Sequence, residues 1–77
     1  MILYGQGYRL RFIDRMLHHY GWIRVMIVMD YFGLSRPQAS VDVNAYIKLA
    51  PKNIVYDKTH QLYRATEKFE RIFSDLP

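Results

Sequence analysis

The sequence predicts an α+β fold in which three helices are followed by a β-hairpin. Two observations support this prediction. Apolar residues recur at helical spacing in three consecutive stretches between residues 9 and 49, and two short β-prone runs follow them. A chain of 77 residues, of which 51% are hydrophobic, is long enough for one domain. We therefore expect a single domain over residues 1–77.

The first helix is predicted from Arg9 to Tyr20. Its apolar positions follow the helical period, and they are Leu10, Ile13, Leu17 and Tyr20. Polar residues lie between these positions, and they are Arg11, Asp14, Arg15 and His18. Gly21 is expected to end this helix, and Trp22 and Ile23 to form a short extended link.

The second helix is predicted from Arg24 to Phe32. Four apolar residues share its buried face, namely Val25, Val28, Met29 and Phe32. Met26 and Ile27 cannot lie on that face. Two interpretations remain open: the pair packs against the N-terminal segment, or it forms a dimer surface.

The stretch FGLSRPQAS, residues 32–40, predicts a tight turn at Gly33 and Leu34 and the start of a third helix. Ser35 is a suitable N-cap, and Gln38 three residues later completes a capping box. Pro37 falls in the first turn, where its missing N–H costs nothing. The helix should end near Leu49, since Pro51 follows. Its inner face is expected to contain Ala39, Val43, Tyr46, Ile47 and Ala50.

The hairpin is predicted from two runs, Ile54–Tyr56 and Leu62–Ala65, joined by a polar loop over residues 57–61. The C-terminal stretch EKFERIFSDLP is ambiguous. Its apolar residues could form a final helical turn on the core, and they are Phe69, Ile72 and Phe73.

Three helices with a tight turn between the second and third, followed by a hairpin, are typical of a winged helix-turn-helix. This fold predicts that the third helix (about 36–49) enters the major groove of double-stranded DNA, with the hairpin (about 54–65) as the wing. A net charge of +4 agrees with a polyanionic partner without requiring one. The alternative is a winged helix that binds proteins through its apolar second helix.

The candidate DNA contacts are the residues outside the buried face of the third helix: Arg36, Gln38, Ser40, Val41, Asn44 and Lys48. Gln and Asn pair with adenine, Arg pairs with guanine, and Val contacts a thymine methyl group, whereas Lys48 suits a phosphate. In the hairpin, the candidates for contacts to phosphate or the minor groove are Lys58, Thr59, His60 and Arg64. Asp42 is acidic, and we expect it to make a structural hydrogen bond or ion pair.

Other function classes lack their residues. The chain contains no cysteine, so disulfides and thiolate metal sites are excluded. His18 and His19 are adjacent on a helix and diverge by about 100°, so they cannot share a metal. No catalytic motif and no phosphate-binding loop is present, and we expect no enzyme activity and no cofactor. No run is long enough to span a membrane, and no signal peptide is evident, which favours a cytoplasmic protein.

Four segments resemble a known family: RLRFIDRML, DYFGLSRPQAS, LAPKNIVYD and LYRAT followed by FE. Together they are similar to the N-terminal winged helix of WYL-domain transcriptional regulators associated with bacterial defence systems. The resemblance covers residues 6–70. It implies a repressor that binds an inverted-repeat operator as a homodimer.

The sequence departs from that family in two respects. Family members usually continue into a ligand-sensing WYL domain and a dimerising domain, whereas this chain stops at Pro77. It is therefore expected to be either an excised domain or a small standalone relative. The second helix also begins with an apolar run, residues 25–29, where family members tend to be polar.

Overall fold

The computed structural model describes residues 5–73 of the chain. Its helices are α1 (Gln6–Tyr20), α2 (Val25–Phe32) and α3 (Arg36–Leu49). Its strands are β1 (Trp22–Ile23), β2 (Ile54–Asp57) and β3 (Leu62–Ala65), and a short 3-10 turn, Pro51–Asn53, precedes β2. The predicted class, three helices followed by an antiparallel hairpin, is confirmed.

Helix α1 begins three residues earlier than predicted, at Gln6, and ends at Tyr20 as expected. Gly21 closes it with a φ of 81°, a left-handed conformation that glycine adopts without steric cost. Two residues of this helix depart from its apolar pattern. Tyr20, at an apolar position of the pattern, is 67% exposed, and Asp14, which lies between the apolar positions, is completely buried.

The turn between α2 and α3 has the predicted chemistry. Gly33 adopts a φ of 68°, and its successor Leu34 donates its backbone N–H to the carbonyl of Met29 at 2.9 Å. The backbone N–H of Gln38 donates to the Ser35 hydroxyl at 3.3 Å, while the Gln38 side-chain oxygen accepts from the Ser35 backbone N–H at 3.0 Å. Both halves of the capping box are therefore formed, and they fix where α3 begins.

The sheet contains one strand more than the predicted hairpin. The Trp22–Ile23 segment, expected to be a short extended link, is extended and also pairs with β3 in antiparallel register, so the strand order is β1-β3-β2. Ile23 is fully buried. Two residues are too few for a period-2 pattern, which explains why sequence periodicity missed this strand. Its pairing attaches the hairpin to the start of α2.

The core lies between the three helices and the sheet, and the buried apolar residues come from every one of these elements. Val28 and Phe32 of α2 are buried as predicted, whereas Val25, Ile27 and Met29 are half-buried against the core. On α3 the predicted inner face is confirmed apart from Ile47, which is half-buried.

Asp14 forms the centre of a buried polar network. Its carboxylate accepts the Tyr46 hydroxyl of α3 at 2.5 Å and the backbone N–H groups of Ile72 and Phe73 at 3.2 and 3.3 Å. Burial and the hydrogen bond to Asp14 raise the pKa of Tyr46 well above its ordinary value, so Tyr46 stays protonated and donates. This network explains why an acidic residue is tolerated in the core.

The C-terminal segment is held by these same hydrogen bonds. The final helical turn, which the sequence left open, does not form in the described part, because residues 66–73 form turns and irregular structure; residues 74–77 lie outside the described part. Phe69 and Phe73 do pack against the core, as expected, while Ile72 is exposed. The backbone N–H groups that a helix would have paired internally are instead used by Asp14.

A second carboxylate, Asp42, attaches α3 to α1. It is almost fully buried, and Arg9 donates to it through Nε at 2.5 Å and through Nη2 at 3.2 Å. Gln6 adds a third hydrogen bond at 3.2 Å. The expectation that Asp42 makes a structural ion pair is confirmed.

Removing the Tyr46 hydroxyl should destabilise the fold. We expect Tyr46→Phe to cost about 1–3 kcal/mol of unfolding free energy, because the buried Asp14 carboxylate loses a donor. Urea denaturation measures the cost, with Tyr20→Phe as the exposed control, for which no loss is expected. Equal stability of the two variants would contradict a structural role for the network.

Candidate nucleic-acid interface

The outward face of α3 presents a polar and cationic stripe. Arg36, Asn44 and Lys48 are all exposed, and none of them makes a hydrogen bond or ion pair with another residue in the 5–73 range. At about 100° per residue, Asn44 and Lys48 lie about 40° apart around the helix, whereas Arg36 lies about 80° from Asn44, on the side that faces the hairpin with Ser40. Val41 lies close to Lys48 around the helix and is 59% exposed. The stripe therefore offers donors, an amide and a small apolar side chain to a partner.

Gln38 and Ser40 are less available than the sequence suggested. The Gln38 side-chain oxygen is occupied by the capping box, so a contact to adenine would have to use the amide nitrogen alone or break the cap. Ser40 is half-buried where α3 faces the hairpin. Among the residues predicted to hydrogen-bond with bases, Arg36 and Asn44 are exposed and have no hydrogen-bond partner in the described chain.

The wing is held in shape by Asp57. Its carboxylate accepts from the backbone N–H of His60 at 3.1 Å and from Arg64 Nε at 2.7 Å, and it also lies 2.9 Å from the His60 ring. His60 and Arg64, two of the four residues predicted to contact DNA from the wing, thus make hydrogen bonds inside the hairpin. Lys58 and Thr59 are exposed at the loop, and within the described chain their side chains have no hydrogen-bond partner.

These contacts hold the pKa of Asp57 well below its ordinary value. The main cause is the backbone hydrogen bond from His60, followed by the side-chain bond from Arg64. The next loop residue, Gln61, adopts a φ of 54°, a left-handed conformation that tightens the return into β3. The loop is therefore an ordered structure.

A cleft of about 470 Å³ separates the wing from the N-terminal ends of α2 and α3. Its lining includes Arg24, Met26, Arg36, Ser40, Tyr56 and His60. Arg24, Met26 and Tyr56 were not among the predicted site residues. The sequence did contain a signal for Arg24, because it is a cation directly before the first helix of the helix-turn-helix. In this class of fold, that helix crosses the DNA backbone.

The position of Met26 revises the interpretation of the apolar run in α2. Met26 is 54% exposed and lies in the cleft, next to the face of α3, whereas Ile27 packs against the core. The two residues therefore do not form one shared surface. The other interpretation, in which Met26 and Ile27 pack against the N-terminal segment, involves residues 1–4, which lie outside the described part of the chain.

The tyrosines of the described chain are mostly exposed. Tyr46 is buried and Tyr63 is half-buried. Tyr20, Tyr31 and Tyr56 are at least half exposed. The ring of Tyr31 stacks on that of Phe12 at 4.3 Å between centroids, on a surface away from the cleft.

With this geometry described, the chain can be placed among known proteins. The family model for the BrxR transcriptional regulator winged helix-turn-helix domain matches residues 5–76. The chain belongs to this family of winged helix-turn-helix domains. The resemblance to the N-terminal winged helix of defence-associated WYL regulators is thereby confirmed.

Individual relatives agree with the family match. The chain is 47% identical to the DNA-binding transcriptional repressor CapW of Pseudomonas aeruginosa over 70 residues, which cover 91% of this chain and 23% of that protein. It is 44% identical to CapW of Escherichia coli with the same coverage. For CapW of Stenotrophomonas maltophilia the identity is 42%, over 92% of this chain and 24% of the relative. The chain thus spans about a quarter of the length of these curated relatives.

None of the helices between residues 5 and 73 is both long enough and apolar enough to cross a membrane.

Asp57 should make the stability of the domain depend on pH in acid. Because its pKa is lowered in the folded state, its carboxylate stabilises the fold above the ordinary pKa of 3.8, and this contribution is lost as the pH falls further. We expect the free energy of unfolding of wild type to be higher than that of Asp57→Asn. This difference should be largest at pH 5–6 and should shrink toward pH 2.

Urea denaturation across that pH range measures the difference. The control is Asp30→Asn, which changes an exposed carboxylate that makes no hydrogen bond or ion pair with the other described residues. A difference between wild type and Asp57→Asn that stays constant with pH would contradict the role assigned to Asp57.

Proposed function

We propose that this domain binds double-stranded DNA in a sequence-specific manner as part of a transcriptional repressor. Helix α3 lies in the major groove and the wing contacts the neighbouring backbone or minor groove. The single observation that carries this proposal is the stripe of Arg36, Asn44 and Lys48, which α3 presents to solvent without partners in the described chain. A helix with this outward chemistry is suited to base edges and phosphates.

The charge distribution supports the same proposal. Away from α3, three arginines are paired with carboxylates: Arg9 with Asp42, Arg64 with Asp57 and Arg71 with Asp14. Arg36, Lys48 and Lys58, in contrast, have no such partner within residues 5–73. These three cations therefore place positive charge on the face that α3 and the wing share, although Arg11, Arg15 and Lys68 elsewhere also have no carboxylate partner within residues 5–73. The relatives are named as DNA-binding transcriptional repressors, which agrees with this use.

We extend the proposal to a homodimer on an inverted repeat. A single recognition helix reads one half-site, and helix-turn-helix proteins gain specificity when two-fold symmetry places two such helices on one face of the duplex. This chain spans only about a quarter of its relatives, so the dimer contacts need not lie within it.

The competing function is protein binding by the same fold. The observation that favours it is an aromatic surface formed by Tyr8, Phe12 and Tyr31 on α1 and α2, with Tyr8 and Tyr31 more than half exposed. That surface is apolar, whereas the stripe on α3 is polar and cationic. Substitutions on the two surfaces therefore separate the two functions.

Asn44 and Lys48 should differ in the kind of binding that they support. An amide at Asn44 carries base-specific hydrogen bonds, so Asn44→Ala should cost about 1–3 kcal/mol on the preferred site and little on random DNA. Lys48→Ala should weaken both alike, because a lysine contacts phosphate without reading sequence. Fluorescence anisotropy with DNA from upstream of the chain's own gene, against random DNA, measures both.

Tyr31→Ser serves as the control, since it changes the aromatic surface alone. Gln38→Ala is a poor reporter because it also removes half of the capping box. If Asn44→Ala kept full affinity for the preferred site while Tyr31→Ser abolished a protein interaction, the protein-binding function would replace the one proposed.

Footprinting tests the dimer. Two protected half-sites are expected about 10 base pairs apart, or a multiple of that spacing, related by an inverted repeat. If each protomer neutralises roughly three to five phosphates, log affinity should also fall with log salt by about 0.9 per phosphate. Protection of a single half-site at saturation would rule the dimer out.

A further inference from the structure

The cleft between the wing and the starts of α2 and α3 has a one-sided charge. Arg24 and Arg36 line it together with Ser40, Tyr56 and His60, and none of its lining residues is acidic. Its volume of about 470 Å³ falls within the range of sites that hold a small ligand. Two cations facing one space without a carboxylate favour an anion between them.

Arg24 is held in position before any ligand arrives. Its guanidinium lies over the Trp22 ring at 5.3 Å from the centroid, and Nη2 donates to the backbone carbonyl of His60 at 3.2 Å. A guanidinium carries five N–H donors, so these two contacts leave most of them for a ligand. An arginine that is already ordered loses less conformational entropy when it binds.

The cleft also lies where a DNA strand must pass. If α3 occupies the major groove and the wing contacts DNA beside it, the sugar–phosphate strand between those contacts crosses the space that the cleft occupies. In helix-turn-helix proteins the first of the two helices, here α2, crosses the backbone. Met26, half exposed on the cleft wall, supplies an apolar surface that suits a deoxyribose.

We propose that this cleft binds one phosphodiester of the DNA strand that runs between α3 and the wing, with Arg24 and Arg36 on its two sides. This inference rests on the proposed function and adds to it. It gives Arg24 a direct role, and it assigns Arg36 to a phosphate instead of a guanine. Arg24 is then a residue that positions the duplex and carries no sequence information.

The first test compares Arg24→Gln with Arg15→Gln. Both variants remove one positive charge, but Arg15 is exposed on α1 and does not line the cleft. Arg24→Gln should weaken binding to preferred and random DNA alike and flatten the salt slope by about one unit. Arg15→Gln should leave the slope unchanged, and Arg24→Lys should restore it because it keeps the charge.

The second test locates the phosphate. Single methylphosphonate substitutions along the preferred duplex each remove one backbone charge. Wild type should lose affinity when the methylphosphonate replaces one particular phosphate in each half-site. Arg24→Gln should show no further loss of affinity at that position, and at the other positions it should lose as much affinity as wild type does. Arg36→Gln should lose sensitivity at the same phosphate. Because Arg36 is exposed and unpaired in the described chain, this variant tests the site even if Arg24→Gln fails to fold.

The results separate the two levels of the proposal. A wild-type salt slope in Arg24→Gln, or an unchanged methylphosphonate pattern in Arg36→Gln, would overturn the phosphate site while leaving DNA binding by α3 in place. Loss of sensitivity at two different phosphates in the two variants would also overturn it. If wild type bound no duplex at all, the proposed function itself would be wrong.

Discussion

The rotation of α3 about its own axis is fixed by buried carboxylates at its interface with α1. Asp42 of α3 accepts from Arg9, and Tyr46, one turn later, donates to Asp14. Hydrophobic contacts alone tolerate small rotations of a helix, whereas these hydrogen bonds require one orientation and leave costly unpaired groups if it changes. The exposure of Asn44 and Lys48 to solvent, and of Arg36 beside the cleft, is a consequence of that orientation.

The same buried network connects α3 to distant parts of the chain. Asp14 also accepts the backbone N–H groups of Ile72 and Phe73, and Asn53 donates to the Tyr46 hydroxyl at 3.2 Å and to the carbonyl of Glu70 at 2.7 Å. The segment that follows the hairpin, residues 70–73, is therefore attached to α3 through Tyr46. The wing is fixed independently, through Asp57 and through the pairing of β3 with β1.

Much of the fold was predictable because its signals are local. The capping box at Ser35 and Gln38, the left-handed glycine at Gly33 and the two hairpin runs each specify structure over a few residues. The ion pair of Asp42 was anticipated as one of two options, a hydrogen bond or an ion pair, because an acidic side chain is unlikely to face a phosphate. Helical spacing also identified most of the buried residues of α3.

The features that the sequence did not reveal depend on contacts between distant residues. Strand β1 is only two residues long and exists because β3 pairs with it. Asp14 falls between apolar positions of α1 and reads as a surface residue, since its partners come 32 or more positions later. In the candidate site, Gln38 was identified correctly as a cap, but its loss of freedom to read a base follows only from the observed hydrogen bond. The cleft and Arg24 required the wing and α2 to be placed together.

Mapping the DNA contact surface by NMR tests the central claim most directly. Backbone amide shifts of the 77-residue chain would be followed while duplex DNA from upstream of its gene is added. The largest changes should lie along the outward side of α3 and in the loop at residues 58–61, with the aromatic surface at Tyr8, Phe12 and Tyr31 little affected. Changes centred on that aromatic surface, with the α3 amides unmoved, would contradict DNA recognition by α3.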